Sequence, residues 1–350
     1  MIKRRKTRTV TVGNVKIGSE HPVVIQSMAK TDTSDAGATI RQIRRLQDAG
    51  CELVRVAVKD PDDAKAILPI KRDITIPLVA DIHFDYRLAI LAIKQGADKI
   101  RINPGNICNP GEVDKIIDAA ASGGVPIRIG VNSGSLTENK TSSGGIAGAM
   151  VRSAFKYLEQ FKKKDFNDLV ISLKGSGVPA TIKAYRRMAE ECDYPLHLGV
   201  TAAGLPAEGA IKSSVGIGAL LLDGIGDTVR VSLTGNPVTE VDVTKDILSA
   251  VGLRRFGPEI ISCPTCGRCQ VDLISIVRKL KEELNRDTNK KLVVAVMGCE
   301  VNGPGEAKDA DIGIAFGKGR GAIFRRGRVI KTVETDAAVK ELMEMINEEI

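Results

Sequence analysis

Residues 22–233 repeat one pattern eight times: a short run rich in Val, Ile and Leu, then a longer helix-like stretch. The runs are 22–27, 52–58, 76–82, 98–103, 125–131, 168–173, 195–200 and 228–233. The stretches between them include 39–49, 62–67, 87–95, 110–121, 148–161, 180–189 and 209–222. Apolar strands joined by helical crossovers lie parallel. Eight βα units in about 230 residues fit an α/β chain folded as a TIM-type (β/α)8 barrel. An open doubly wound sheet is the alternative. No Gly-x-Gly-x-x-Gly turn follows the first run, which weakens that reading.

Side chains alternate across a strand, so residues two apart share a face. Arg55 and Ala57 fall on one face of the second run, with Val54, Val56 and Val58 on the other. The same split pairs Asp81 with His83, Arg101 with Asn103, Arg128 with Asn132, His197 with Thr201 and Arg230 with Ser232. Lys174 follows the sixth run. In a barrel the apolar set faces the helices and the polar set faces inward. These polar residues lie near the C-terminal strand ends, where barrels of this type carry their sites. Arg55, Arg101, Arg128, Lys174 and Arg230 are cations from five different strands. Converging cations repel one another unless an anion offsets them, and the guanidinium fork suits phosphate oxygens. Asn103, Asn132 and Ser232 add neutral donors, and His83 beside Asp81 offers an acid or a hydrogen-bond donor.

The chain of 350 residues carries a formal charge of +8, which points to an acidic partner. Nucleic acid, a membrane surface and phosphorylated metabolites all qualify. The basic start Lys3-Arg4-Arg5-Lys6-Thr7-Arg8 runs into the strand-like Thr9-Val10-Thr11-Val12-Gly13, not into the apolar core of a signal peptide. It reads as a solvated edge in preference to a nucleic-acid arm. No apolar stretch reaches the ~20 residues of a spanning helix. The expectation is a cytoplasmic protein with neither a membrane nor a nucleic-acid partner.

The βα period stops near residue 250. Arg254-Arg255-Phe256-Gly257-Pro258 reads as a linker. Strand-like segments follow at 259–262, 291–297, 311–316, 321–325 and 329–333, with helices over 272–285 and 336–348. The division expected is a barrel over 1–253 and a smaller α+β domain over 254–350.

Four of the seven cysteines cluster in that second domain. One segment is Cys263-Pro264-Thr265-Cys266-Gly267-Arg268-Cys269, the other Gly298-Cys299-Glu300-Val301-Asn302-Gly303-Pro304-Gly305-Glu306. A Cys-x-x-Cys turn places two soft thiolates on one metal corner, which suits zinc or iron–sulfur clusters. A zinc ribbon wants a second such knuckle, and the second segment offers only Cys299. A cluster needs four protein ligands. Cys263, Cys266, Cys269 and Cys299 supply four; so do Cys263, Cys266, Cys299 and Glu306. Spacing does not choose between these sets.

These segments resemble the bacterial 4-hydroxy-3-methylbut-2-enyl diphosphate synthases of the methylerythritol phosphate isoprenoid pathway. The likeness runs through Gln26-Ser27-Met28, Val79-Ala80-Asp81-Ile82-His83-Phe84-Asp85-Tyr86-Arg87 and Arg101-Ile102-Asn103-Pro104-Gly105-Asn106. It continues through Pro126-Ile127-Arg128-Ile129-Gly130-Val131-Asn132, Gly224-Ile225-Gly226-Asp227-Thr228, Cys263-Pro264-Thr265-Cys266 and Asn302-Gly303-Pro304-Gly305-Glu306-Ala307. The resemblance implies reductive ring opening of 2-C-methyl-D-erythritol 2,4-cyclodiphosphate. It implies a 4Fe–4S cluster on Cys263, Cys266, Cys299 and Glu306, with Glu306 and His83 in catalytic roles. Asp81, His83, Asn103, Asn132, Ser232 and the five cations fall at the substrate site. It further implies electrons from ferredoxin or flavodoxin, and a homodimer in which one subunit's cluster domain caps the other's barrel. Two positions depart from the family pattern: Ala202 stands where some relatives have an acid, and Asn236 where relatives often carry Asp or Glu. Cys269 matches no family role.

Two other readings compete. A zinc-ribbon protein binding nucleic acid would be colourless, with salt-dependent affinity. A barrel transferase for a phosphorylated or pterin substrate, with a structural cluster, would turn over without a reductant.

Overall fold

The computed structural model describes residues 2–136, 144–284, 292–300 and 310–348, in two compact units, Met1–Arg254 and Arg255–Ile350. The first opens with an antiparallel hairpin, β1 (Val10–Val12) and β2 (Val15–Ile17). Then follow β3 (Val24–Met28), α1 (Ala36–Asp48), β4 (Leu53–Val58), α2 (Pro61–Asp73), β5 (Leu78–Ile82), α3 (Tyr86–Lys94), β6 (Lys99–Ile102) and α4 (Pro110–Gly123). The series ends with β7 (Ile127–Asn132), α5 (Gly145–Lys163), β8 (Leu169–Lys174), α6 (Val178–Glu191), β9 (His197–Leu198), α7 (Pro206–Leu222), β10 (Thr228–Val229) and α8 (Pro237–Ala250). The parallel strands run β8-β7-β6-β5-β4-β3-β10-β9, and a bridge from Ile171 to Leu196 joins the two ends. The repeat has closed into the expected (β/α)8 barrel.

Short polar residues start the helices close behind the strand ends. Asp60 accepts from the Asp62 and Asp63 backbone N–H groups at 3.0 and 2.9 Å, with Pro61 opening α2. Asn109 before Pro110 and Asn236 before Pro237 cap α4 and α8 in the same way. A side-chain oxygen satisfies an orphan donor, and proline's fixed φ suits the first turn. Short loops therefore leave the strand-end side chains facing the mouth.

The other end of the barrel is sealed by apolar side chains. Val24, Leu53, Val79 and Val170 point inward there and pack against Val10, Val12 and Ile17 of the hairpin. The hairpin is thus a plug. The basic run before it is not the solvated edge expected. Arg4 Nη2 lies 2.8 Å from Asp227 Oδ1, Arg5 donates to the Tyr194 carbonyl at 2.7 Å, and Arg8 pairs with Asp193 at 2.8 Å. Guanidiniums satisfy loop carbonyls at the strand starts and fasten the plug.

Three further differences have local causes. The periodic reading named no helix over 237–250, yet α8 forms there, capped by Asn236. Helix α2 continues past Pro69 because Ile67 and Ile70, on either side of it, are fully buried. Strands β9 and β10 hold a ladder for only two residues each, although inward and outward alternation persists beyond them.

The second unit is a five-stranded sheet, β11 (Glu259–Ser262), β12 (Val293–Met297), β13 (Ile312–Gly317), β14 (Arg320–Arg325) and β15 (Arg328–Glu334), in that order. The first three strands are parallel and the last two antiparallel. Helices α9 (Leu273–Leu284) and α10 (Ala338–Glu348) cover one face, packing Leu280, Leu342 and Ile346 on Val294, Val296, Ile314 and Phe316. No helix of the described residues is long and apolar enough to cross a membrane.

Candidate functional site

Strand alternation turns the cations inward at different heights. Lys174 ends β8, Arg230 follows β10, and Arg101 is third in β6, whereas Arg55 is third in the six-residue β4 and Arg128 second in β7, below the strand ends expected. Arg128 is 1% exposed, and Arg55, Arg101 and Lys174 are each below 10%. Asp81 holds two of them: Arg101 Nη1 is 3.0 Å from Oδ1, and Arg55 Nε is 3.6 Å from Oδ2. Arg55 also donates to Met28 Sδ at 2.9 and 3.1 Å, and Arg101 to the Gly130 carbonyl at 3.0 Å. Glu240 on α8 lies 3.4 Å from Arg230 and 3.0 Å from Lys30, and accepts from Ser27 Oγ and the Leu233 N–H.

Cations outnumber carboxylates, and unfilled donors result. Arg128 spends Nη1 on Ser172 Oγ at 2.9 Å, while its Nε and Nη2 have no partner among the described residues. Arg230 Nε and Arg101 Nε are equally unfilled. Burial pushes the Arg55 guanidinium down to about 10, against the pull of Asp81. Burial and the neighbouring arginines push Arg128 and Lys174 far down. Burial alone would raise the Asp81 carboxyl, but Arg55, Arg101, Arg128 and His83 hold it well below the usual carboxylate range. An anion is the missing counterpart: each strained cation gains when negative charge enters.

The remaining expected residues occupy different depths. His83 follows β5 half-buried, its Nδ1 without a partner among the described residues. Asn132 ends β7 and Ser232 follows β10, both half-buried. Asn103 is engaged in its own loop: Nδ2 donates to Ser135 Oγ at 2.8 Å, and Oδ1 accepts from Gly105 N at 3.1 Å. Asn236 caps α8 through Val238 N at 3.0 Å.

Parity also points to residues that sequence reasoning passed over. Lys99 stands two before Arg101, is fully buried, and has no partner for Nζ among the described residues. Ser172 stands two before Lys174 and takes Arg128 Nη1. His197 was placed on the inward face but given no role; Lys174 Nζ lies 3.1 Å from its Nε2. Glu240 belongs to the helix that the periodic reading did not name, so nothing in the repeat marked it.

In the second unit both cysteine segments leave the same edge of the sheet. β11 and β12 pair in parallel with Ser262 beside Val296, so Cys263 and Gly298 follow adjacent strand ends. The Gly298 N–H donates to Cys263 Sγ at 3.2 Å. A side chain on Gly298 would collide with Cys269 Sγ and stand 3.5 Å from Cys263 Sγ. Cys266 is exposed, and the Arg268 backbone N–H holds its thiol below the ordinary value. Cys299 is 9% exposed. Cys269 Sγ instead lies 3.3 Å from the Val271 carbonyl, which a protonated thiol satisfies. Among the described residues no three of His, Cys, Asp and Glu gather at metal-ligating distance. Glu306 lies outside the described residues. The donor set fits a soft metal: thiolates next to backbone N–H groups on a shared rim.

Comparison with known proteins agrees with both units. A family model described as the GcpE TIM-barrel domain matches residues 7–245, and the GcpE protein C-terminal domain matches 259–348. The 4-hydroxy-3-methylbut-2-en-1-yl diphosphate synthase (flavodoxin) of Caldanaerobacter subterraneus is 54% identical over 99% of this chain and 98% of its own length. That of Fusobacterium nucleatum is 51% identical over the same shares. Among solved structures, dihydropteroate synthase from Stenotrophomonas maltophilia superposes with a TM-score of 0.52 at 15% identity, over 71% of this chain and all of that one. That likeness shows the barrel fold alone.

Proposed function

The chain belongs to the GcpE family, and on that premise we propose that it opens the ring of 2-C-methyl-D-erythritol 2,4-cyclodiphosphate reductively. The products are 4-hydroxy-3-methylbut-2-enyl diphosphate and water, a step of the methylerythritol phosphate route to isoprenoids. The observation that carries this reading is the buried convergence of Arg55, Arg101, Arg128, Lys174 and Arg230 around so few carboxylates.

The barrel residues bind and orient. Arg128 and Arg230 turn their unfilled N–H groups to diphosphate oxygens, where charge grows as the C–O bond breaks. Asp81 keeps Arg55 and Arg101 in place. His83, with Nδ1 unfilled, donates a hydrogen bond or a proton at the rim, beside Asn132 and Ser232. Asn103 shapes the loop after β6.

Cys263, Cys266, Cys299 and Glu306 would hold a 4Fe–4S cluster, which would pass on the donor's electrons and offer a Lewis-acidic iron. The Gly298 N–H donates to Cys263 Sγ, and the Arg268 N–H holds the Cys266 thiol below its ordinary value. Cys269 Sγ instead donates to the Val271 carbonyl, and Cys269 stands outside the proposed ligand set. Flavodoxin, or a ferredoxin in its place, is the electron donor, and the reaction belongs to the cytoplasm.

The functional division is a substrate barrel over 1–253 and a cluster domain over 254–350. Arg254 donates to the Val23 carbonyl at 2.8 Å and pairs with Glu52, both just before barrel strands. The chain therefore leaves the barrel at the end opposite the mouth. That exit and the short linker support a homodimer in which the cluster domain serves the partner's mouth.

The test is turnover under anaerobic conditions with reduced flavodoxin, followed by phosphorus NMR. The linear diphosphate should form and depend on the reductant. Unchanged cyclodiphosphate in the presence of iron-replete protein would refute the reading.

A further inference from the structure

Barrel closure is thinnest between β8 and β9, where the ladder is a single bridge from Ile171 to Leu196. Tyr185 of α6 spans that gap from outside. Its hydroxyl accepts from the Leu173 N–H at 3.0 Å and donates to the His197 carbonyl. On the inside Lys174 reaches across the same gap, Nζ at 3.1 Å from His197 Nε2. A Cβ at Gly199 would stand 2.6 Å from that Nζ and 3.0 Å from Lys174 Cε. Glycine at 199 is what lets the lysine lie over β9. His197 Nδ1 faces Thr228 Oγ1 on β10 at 3.4 Å.

We propose that His197 is a positioning residue for substrate binding. As the Nδ1–H tautomer it accepts from Lys174 and, with Gly199, aims that amine from the seam at a diphosphate oxygen. This rests on the reading of the mouth as the diphosphate site.

The choice of partner matters. Arg55 and Arg101 face Asp81, and Arg230 faces Glu240, so each of those guanidiniums meets a carboxylate before any ligand arrives. Lys174 meets a neutral ring. Around it stand Arg128 from β7, Arg55 from β4, Arg101 from β6 and Arg230 beyond β10. His197 also faces Lys99 of β6. Among the described residues the inward acids are Asp81 and Glu240, both engaged as above. Burial and these cations push the lysine and the imidazole toward their neutral forms. A bare Nε2 accepts from an amine or an ammonium alike. The aim of Lys174 is therefore set before its charge, and an entering anion draws a proton onto it.

The experiment measures affinity of the holoenzyme for the cyclic diphosphate by calorimetry, and KM and kcat, in wild type, His197→Leu, His197→Gln and Arg128→Ala. His197→Leu should weaken binding and raise KM about tenfold with little change in kcat, the pattern of lost uniform binding. His197→Gln, whose amide oxygen restores an acceptor, should recover most of that loss. In buffers of different ionisation enthalpy, the wild type should take up protons on binding and His197→Leu should take up fewer. An unaltered affinity in His197→Leu, alongside a weakened Arg128→Ala, overturns the proposal and leaves the mouth standing. Unaltered affinity in both sinks the reading of the mouth itself. Where His197→Leu does not fold, nitrogen NMR of wild-type His197 decides: a bare Nε2 and protonated Nδ1 support the proposal, and the reverse tautomer overturns it.

Discussion

Asp81 binds two arginines at once, with Arg101 Nη1 at 3.0 Å from one carboxylate oxygen and Arg55 Nε at 3.6 Å from the other. Removing that charge leaves two buried guanidiniums facing each other. Asp81→Asn should cost about 3–5 kcal/mol of stability at pH 7, the scale of a broken buried pair. The arginines depress the folded-state pKa of Asp81, so its contribution is present above the unfolded value of about 3.9 and fades as pH falls below it. Denaturation of the two proteins at pH 7 and in acid checks this; equal stability at pH 7 would remove Asp81 from the account.

Arg128 offers two unfilled N–H groups. Arg128→Ala should weaken cyclodiphosphate binding by about 1.5–3 kcal/mol, the scale of charge-assisted hydrogen bonds. Its iron content should match the wild type, because Arg128 belongs to the barrel strand β7. Calorimetry beside an iron assay reads both quantities.

Lys99 Nζ has no hydrogen-bond partner among the described residues and no solvent, and burial beside Arg128 and Arg55 keeps its amine toward the neutral form. The unfolded chain binds a proton that the fold refuses. This group therefore lowers stability at pH 7 and no less in acid, and the loss shrinks as pH rises toward the unfolded value of about 10.4. Lys99→Met should stabilise the protein at pH 7 by roughly 1–4 kcal/mol, the range for replacing buried charged groups with apolar ones. Urea titrations at pH 7 and pH 10 should show the gain narrowing; a constant gain would contradict it.

The barrel was legible because buried parallel strands force a repeating apolar pattern, and strand parity placed Arg55, Arg101, Arg128 and Arg230 on the inner face. Lys99 and Ser172 obey the same parity, but their importance lies in what they fail or manage to bond. Hydrogen bonding across strands has no trace in one strand's sequence. Glu240 and Lys30 meet across elements far apart in the chain, and only closure of the ring brings them together. The basic start misled because its charges are satisfied by carbonyls of distant loops. Cys263 and Cys299 were legible from their two cysteine-bearing segments, but that these segments follow adjacent parallel strands, and that Cys269 meets the Val271 carbonyl, only the folded chain shows.

Cys263→Ser, Cys266→Ser and Cys299→Ser should each abolish bound iron and activity, while Cys269→Ser keeps both. The contrast rests on the family resemblance, which matches Cys263, Cys266 and Cys299 and assigns no role to Cys269. Iron analysis of the four variants and of Glu306→Ala decides it. Iron loss in Cys269→Ser with a full cluster in Glu306→Ala would favour four cysteines.

Arg254 anchors the chain at the barrel end away from the mouth. Mixing inactive Arg128→Ala with inactive Cys299→Ser subunits should restore activity, since a mixed dimer would rebuild one whole site. Confirmed mixed dimers without activity would refute domain sharing.

The most direct measurement is a single turnover by anaerobically purified protein, with iron, sulfide and the absorption spectrum recorded on the same sample. The account predicts brown protein carrying iron and sulfide in equal amounts, about four each per chain. With excess chemical reductant present, which supplies the two electrons each conversion consumes, it should convert the cyclic diphosphate to the linear one, and without reductant it should convert none. Colourless zinc-bearing protein, or turnover that needs no reductant, would contradict it.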